Sequence, residues 1–376
     1  MIDKLLKKTT LFSVGFFTVS MCAILYLSMN KSIEISNVAQ DEVVMGDAAG
    51  SGDSSSAGKT AGNTTRDKSG SVNSDGSQVT SIPVNSLIFD ETGVYSEYLG
   101  IPLPEETDPE GIVIENHYMD SELCIFLSGV DGEFYKTNKV TGNHGNILDG
   151  SFETTEEGTR LCLNMNGIYE YKTVFENGEL YITFMNPHEV YEKIVVIDPA
   201  CGGAMTGCKA DDIMEKDITL SVAKKLKDFL DSSDIKAYYT RMDDVNPTEE
   251  KRIRLANETK ADMYIELCAD STKDQYVYGV SAKYNDEYFI PGFGNVELAD
   301  TMEYETVSAI KGKALGLFEA SSEDYTLKKS TVPATSISLG YVSNRQEVQL
   351  LSREDYVEKI AQGLFNGINK AYEKMQ

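Results

Sequence analysis

The sequence predicts an α/β protein: a C-terminal three-layer domain at 191–376 with a mostly parallel sheet, preceded by a small antiparallel β domain at 83–190. Three observations predict it. From Ile194 onward, short apolar strands alternate with segments of helical period, the pattern of a parallel sheet covered on both faces. Between 83 and about 190, apolar residues recur at period two with turn signals between them. Ahead of both lies a Gly/Ser/Asp/Asn/Thr-rich stretch at 38–82 that cannot bury enough surface to order itself, and reads as a flexible linker.

Residues 1–37 read as a cytoplasmic stub and a membrane anchor. Leu11 to Met29 carry no charged side chain, which is just long enough to cross a bilayer as a helix at about 10–29. Lys4, Lys7 and Lys8 precede the run and place the N-terminus in the cytoplasm. No small-x-small cleavage site follows, so the sequence predicts an uncleaved single-pass anchor with the later domains on the extracytoplasmic side of the cell membrane. Cys22 sits inside the apolar run behind Met21 and reads as a membrane-embedded thiol. Gly58-Lys59-Thr60 in the linker has the wrong glycine spacing and no flanking strand for a phosphate-binding loop.

In the β domain, Leu123, Ile125 and Leu127 alternate along one strand, Leu161, Leu163 and Met165 along another, and Leu180, Ile182 and Phe184 along a third. Asn177-Gly178 separates two such runs and marks a hairpin, because both residues tolerate positive φ. Its place ahead of the C-terminal domain resembles that of known β-rich wall-targeting domains. Cys124 and Cys162 fall on candidate neighbouring strands, where they either pair or stay as two half-buried thiols. His117, His144 and His188 show no partner pattern and read as surface or loop histidines.

In the C-terminal domain, strands are expected at Ile194–Ile197, Ala237–Thr240, Met263–Leu267 and Thr335–Val342. Ile218, Val222, Leu226, Phe229 and Leu230 form one helical stripe; Val357, Ile360, Ala361, Leu364, Phe365, Ile368, Ala371 and Tyr372 form another. Asn246-Pro247-Thr248-Glu249 reads as a helix start with Asn246 as its cap. The formal net charge of -26 excludes nucleic acid as a partner, because phosphates would be repelled.

Four segments carry chemistry. They are Ile194 to Gly203 with Asp198-Pro199-Ala200-Cys201-Gly202-Gly203, then Glu215-Lys216-Asp217, then Tyr264 to Asp270 around Cys268, then Pro333 to Asn344 around Ser338. Their order and spacing resemble the zinc-dependent N-acetylmuramoyl-L-alanine amidases of bacterial cell walls. Thr240-Arg241, Arg252 with Ala256-Asn257, and Ser343, Asn344 and Glu347 extend the resemblance over nearly the whole C-terminal domain. In that family the first segment reads DPGHGG, the third ends near S-x-H-x-N, and the fourth carries a glutamate before its glycine. The resemblance places metal ligands at Cys201, Glu215 and Cys268 and the general base at Ser338, so that only Glu215 keeps the family's residue type.

An amidase of this kind would acidify a zinc-bound water and use a carboxylate to move its proton. A Cys-Glu-Cys set can hold zinc, but three anionic ligands weaken its acidifying power. Cysteine also reaches less far, its sulfur roughly 2.8 Å from Cα against about 4.5 Å for the far nitrogen of histidine. Metal, a Cys201–Cys268 disulfide and free thiols all remain open, with Cys208 a rival partner for Cys201. Ser338 has no adjacent base, and no histidine follows His188 to activate it. The sequence therefore predicts a membrane-anchored relative of these amidases, without hydrolytic activity and without a cofactor unless the altered site still holds zinc. Its partners would be peptidoglycan or cell-wall proteins. The alternative is an active metallo-amidase cutting the muramoyl–L-alanine bond.

Overall fold

The computed structural model describes residues 85–90 and 96–376. The expected anchor at 10–29, Cys22 and the linker at 38–82 lie outside the described residues. Among the described residues, no helix is long and apolar enough to cross a membrane. Two compact units emerge. Of the described residues, the first takes those up to Glu115, then Leu123–Leu163 and Lys172–Thr183; the second takes Asn116–Glu122, Asn164–Tyr171 and Phe184–Gln376.

The first unit is built on β1 (Asn85–Ser86), β2 (Leu99–Pro102), β3 (Ile112–His117), β4 (Glu122–Ser128), β5 (Thr141–Gly142), β6 (Ile147–Thr154), β7 (Gly158–Met165), β8 (Glu170–Glu176) and β9 (Glu179–Met185). They form two sheets, ordered β1-β6-β7-β4-β3 and β5-β2-β9-β8. β1 runs antiparallel to β6, and β2 runs antiparallel to β5 and β9. The period-two residues do what their spacing implies: Leu123, Ile125, Leu127, Leu161, Leu163 and Ile182 are buried. Asn177 and Gly178 both take positive φ between β8 and β9, the mirror-image turn that matches strand twist. Cys124 and Cys162 are joined in a disulfide across 38 residues of sequence. Closing a loop of that length lowers the entropy of the unfolded chain by an amount worth roughly 4 kcal/mol.

The second unit begins with α1 (Pro187–Val190) and β10 (Ile194–Pro199). The hairpin strands β11 (Lys209–Ala210) and β12 (Ile213–Met214) lead into α2 (Glu215–Asp231). Then come β13 (Lys236–Tyr239), α3 (Glu249–Thr259), β14 (Met263–Asp270), β15 (Val280–Tyr284), α4 (Asn295–Ile310) and β16 (Ala314–Glu319). The unit ends with α5 (Tyr325–Lys329), β17 (Ala334–Tyr341), α6 (Arg345–Leu351) and α7 (Glu354–Met375). The sheet order is β13-β10-β14-β17-β15-β16.

β13, β10, β14 and β17 are parallel, but β15 runs antiparallel to β17 and carries β16 with it, so the sheet is mixed. β15, α4 and β16 escape the sequence reading. Their apolar signal is diluted: β15 interleaves Ser281 and Lys283, and α4 buries Asn295, Thr301 and Thr306 beside Leu298 and Met302. The cap at Pro247 is also corrected. Thr248 caps α3 by accepting from the Lys251 amide, while Asn246 Oδ1 accepts from Arg252 Nη2 instead.

Alternate residues of each strand serve opposite cores. Val195, Ile197, Ile265, Leu267, Ile337 and Leu339 pack with the apolar stripes of α2 and α7. Ile194, Val196, Tyr264 and Ala334 pack with Ile253, Leu255 and Ala256 of α3 and Leu327 of α5. This is the three-layer arrangement that the alternation of strands and helices implies. The chain leaves β10 through α2 to β13 on one side, then returns through α3 to β14 on the other. The carboxyl ends of β10 and β14 are therefore a topological switch point, where two connections diverge and leave a crevice.

Candidate functional site

Asp198, at the end of β10, is fully buried and accepts from Thr240 Oγ1, Arg252 Nη1 and Tyr264 OH. Arg252 also donates to the carbonyls of Pro199 (3.1 Å) and Cys201 (3.0 Å). Arg241 donates to the carbonyls of Pro199 (2.8 Å), Ala200 (3.0 Å) and Lys216 (2.9 Å). Two buried guanidinium groups thus hold the strand end in place by its backbone, a task for which planar five-donor side chains are suited. Cys201 follows with φ +65°, and Gly202 with φ +135°. A Cβ on Gly202 would lie 2.0 Å from the Val245 carbonyl, so no other residue fits there.

The sequence-predicted site residues surround this turn. Glu215 opens α2 and is buried; its Oε1 accepts the Ala269 amide (3.0 Å) and its Oε2 the Cys208 amide (2.9 Å). Cys201 Sγ packs against Gly207, where a Cβ would come within 2.8 Å of the sulfur. Cys268 and Ser338 are register partners on β14 and β17. Cys268 Sγ lies 3.4 Å from Ser336 Oγ, and the Ser338 hydroxyl donates weakly to the Gly340 carbonyl at 3.5 Å. The thiols of Cys201, Cys208 and Cys268 are all free.

Burial, then the Glu215 carboxylate, pushes the Cys201 thiol up to about 11. Burial raises Cys208 as well, followed by Glu215; burial and then Asp270 raise Cys268 well above the usual thiol range. All three are therefore neutral thiols near pH 7, the form that is a poor nucleophile.

Zinc does not fit this arrangement. The ligand atoms of Cys201, Glu215 and Cys268 do not all lie within 4.8 Å of one another. Both oxygens of Glu215 are engaged by backbone amides rather than left for an ion. Ser338 supplies a hydroxyl where a base would be needed, 3% exposed and facing a carbonyl.

Two functional-looking groups, Glu266 and Ser336, went unread in the sequence. Glu266 lies two residues before Cys268 on the same strand face, and its carboxyl is pushed up to about 7 by burial and then by the neighbouring Asp198 carboxylate. Ser336 bridges toward it, and the Cys208 thiol donates to the Ala269 carbonyl at 3.3 Å. Period-two alternation from Cys268 and Ser338 back to Glu266 and Ser336 was the signal available.

The profile of the N-acetylmuramoyl-L-alanine amidase family matches residues 195–370. The uncharacterized protein YqiI of Bacillus subtilis (strain 168) is 29% identical over 186 residues, covering 48% of this chain and 86% of that protein. The germination-specific N-acetylmuramoyl-L-alanine amidase of Bacillus subtilis (strain 168) is 25% identical over 219 residues, covering 54% of this chain and 88% of its own length. Among solved structures, the N-acetylmuramoyl-L-alanine amidase from Clostridium difficile 630 is 29% identical, with a TM-score of 0.46, over 48% of this chain and 97% of that one. The C-terminal part of this chain, residues 195–370, belongs to the N-acetylmuramoyl-L-alanine amidase family.

Proposed function

We propose that this chain is a wall-associated member of the amidase family that binds peptidoglycan, or a protein of the wall machinery, without cutting the muramoyl–L-alanine bond. One observation carries the reading: Glu215, the one site residue of family type, directs its carboxylate oxygens to two backbone amides, beside thiols held neutral by burial. General-base and metal chemistry would both be missing, and each alone is worth orders of magnitude in rate. The apolar run Leu11–Met29 supports the further proposal that the chain is anchored in the cell membrane with both folded units outside. The Cys124–Cys162 disulfide favours that side, where thiols oxidise.

The test uses the purified full chain, supplied with zinc and soluble muropeptides. The expected result is zinc far below one ion per chain and no release of L-alanyl peptide above background. Chelator-sensitive hydrolysis by the unmodified chain would overturn the proposal. The triple variant Cys201→His, Cys268→His, Ser338→Glu should gain zinc, whereas Cys201→His alone should not, because site residues of this kind act as a unit.

A further inference from the structure

From Tyr288 to Val296, across the loop that joins β15 to α4, the chain carries no charged residue. The base of this loop is firmly held. Buried Asn295 donates through Nδ2 to the carbonyls of Asn285 (3.0 Å) and Tyr288 (3.1 Å), and its Oδ1 accepts the Ala334 amide at the start of β17 (2.9 Å). Asn285 in turn donates to the Leu327 carbonyl (3.2 Å). Lys328 lies 3.3 Å from Asp286 and 3.4 Å from Glu287, so the two acids at the start of the loop share a cation. Phe293 turns inward and joins the core that holds Leu298 and Met302.

The tip of the same loop is left in water. Phe289 is 82% exposed and Tyr288 46%, with exposed Pro291 and Gly292 beside them. Val296, on the first turn of α4, adds another exposed apolar side chain. A ring as open as Phe289 lies in no groove; it suits a medium that closes around it. Aromatic rings prefer the boundary between lipid headgroups and acyl chains. Shallow entry there leaves the backbone groups of the loop within reach of water. Two further observations favour lipid. A Gly/Ser-rich linker of about 45 residues, the composition of 38–82, spans roughly 35–40 Å. A unit tethered in this way to the run Leu11–Met29 stays beside the bilayer, so that even a weak contact is populated. The loop also leaves β15 where that strand runs antiparallel to the start of β17, with Tyr284 opposite Thr335. It therefore lies at the amino ends of the parallel strands, opposite the crevice at the carboxyl ends of β10 and β14.

We propose that Tyr288 and Phe289 form a tip that dips into the headgroup region of the bilayer, and that this contact turns the crevice away from the membrane and toward the wall. The proposal rests on the membrane-anchor reading above and adds how the anchored unit is oriented.

The chain has no tryptophan, so Phe289→Trp in the full chain reports on the tip alone. The control is Tyr276→Trp, an 89% exposed position in the loop after β14, at the crevice end. Each variant is reconstituted into phosphatidylcholine vesicles with plain or brominated acyl chains, since bromine quenches tryptophan on contact. Bromine should cut the Phe289→Trp emission about twofold or more and leave the Tyr276→Trp emission unchanged. Neither variant should shift the melting temperature, because both side chains are exposed. Tyr288→Ser/Phe289→Ser should still float with the vesicles, held by the anchor. Equal Phe289→Trp emission in plain and brominated vesicles overturns the tip, and a chain that nonetheless floats leaves the anchor standing. Equal quenching at both positions overturns the orientation. A serine pair that fails to float, from a parent that floats, supports the tip and overturns the anchor; a parent that does not float overturns both. A tip open to iodide in lipid vesicles but shielded in membranes of the native host belongs to a protein partner, which overturns the lipid contact.

Discussion

Two polar clusters sit within one turn of chain from each other, and they are built on opposite principles. Around Asp198, every charge has its partner: Thr240, Tyr264 and Arg252 on the carboxylate, and backbone carbonyls on the guanidinium groups of Arg252 and Arg241. Around Cys201, Cys268 and Ser338 the side chains are small and neutral, and the one carboxylate, Glu215, is bound to the protein's own amides. The first cluster fixes the geometry of the strand end and the second occupies the space that geometry encloses. Scaffold and chemistry are thus separable: the framework has its full set of hydrogen bonds in the absence of any reactive group.

The largest effect should follow from breaking the framework. Asp198→Ala leaves Arg252 buried without its partner and should cost on the order of 3–5 kcal/mol in urea unfolding. A cost below about 1 kcal/mol would mean that the cluster is not what holds the strand end. Glu215→Ala comes next. If its role is to satisfy two amides, metal-free protein should lose about 2–3 kcal/mol; a residue kept only for an ion would leave metal-free stability unchanged.

Glu266 sharpens the comparison, because it borders both clusters. Its carboxyl is raised from the ordinary value to about 7, so the folded state holds its proton more tightly than the unfolded state does. The stability tied to that proton is fully present below about pH 4.5 and is lost as pH rises through 7. Glu266→Gln should therefore match the parent near pH 4 and exceed it by about 1–3 kcal/mol at pH 8. A difference that does not grow with pH would show that the buried charge is compensated elsewhere. The smallest change is expected at Ser338. Ser338→Ala removes one long hydrogen bond and should alter the melting free energy by less than about 1 kcal/mol, with no change in any peptidoglycan binding.

Much of this was legible in the sequence, for reasons that differ by residue. β10 and α7 were clear because their apolar residues fall on uninterrupted periods, Ile194–Ile197 and Val357 to Tyr372. The motif glycine Gly202 and the arginines Arg241 and Arg252 could be picked out through the resemblance to the amidase family. β15 and β16 were not, since an antiparallel insertion next to a parallel sheet leaves no distinctive period in segments as short as Val280–Tyr284. The pairing of Cys124 with Cys162 depends on which strands become neighbours, a fact of register rather than of composition. Glu266 looked like any strand acid; only its burial beside Asp198 sets it apart. Ser343, Asn344 and Glu347 were visible as a pattern, but their shared target, the loop after β14, is distant in sequence.

Helix α7 also imposes an order in time. Its buried stripe fills the same core as Val195 and Ile197, the strand with which the domain begins. As the chain is made, β10, α2, β13 and β14 emerge early and can pack, but α2 covers only part of that face of the sheet, and the rest stays uncovered until residues 354–375 arrive. Closure of such distant parts is slow compared with local pairing. Throughout that interval the growing domain presents uncovered apolar strands, the condition under which chains associate wrongly. The last-made helix is thus the step at which this domain either completes its fold or is lost to aggregation.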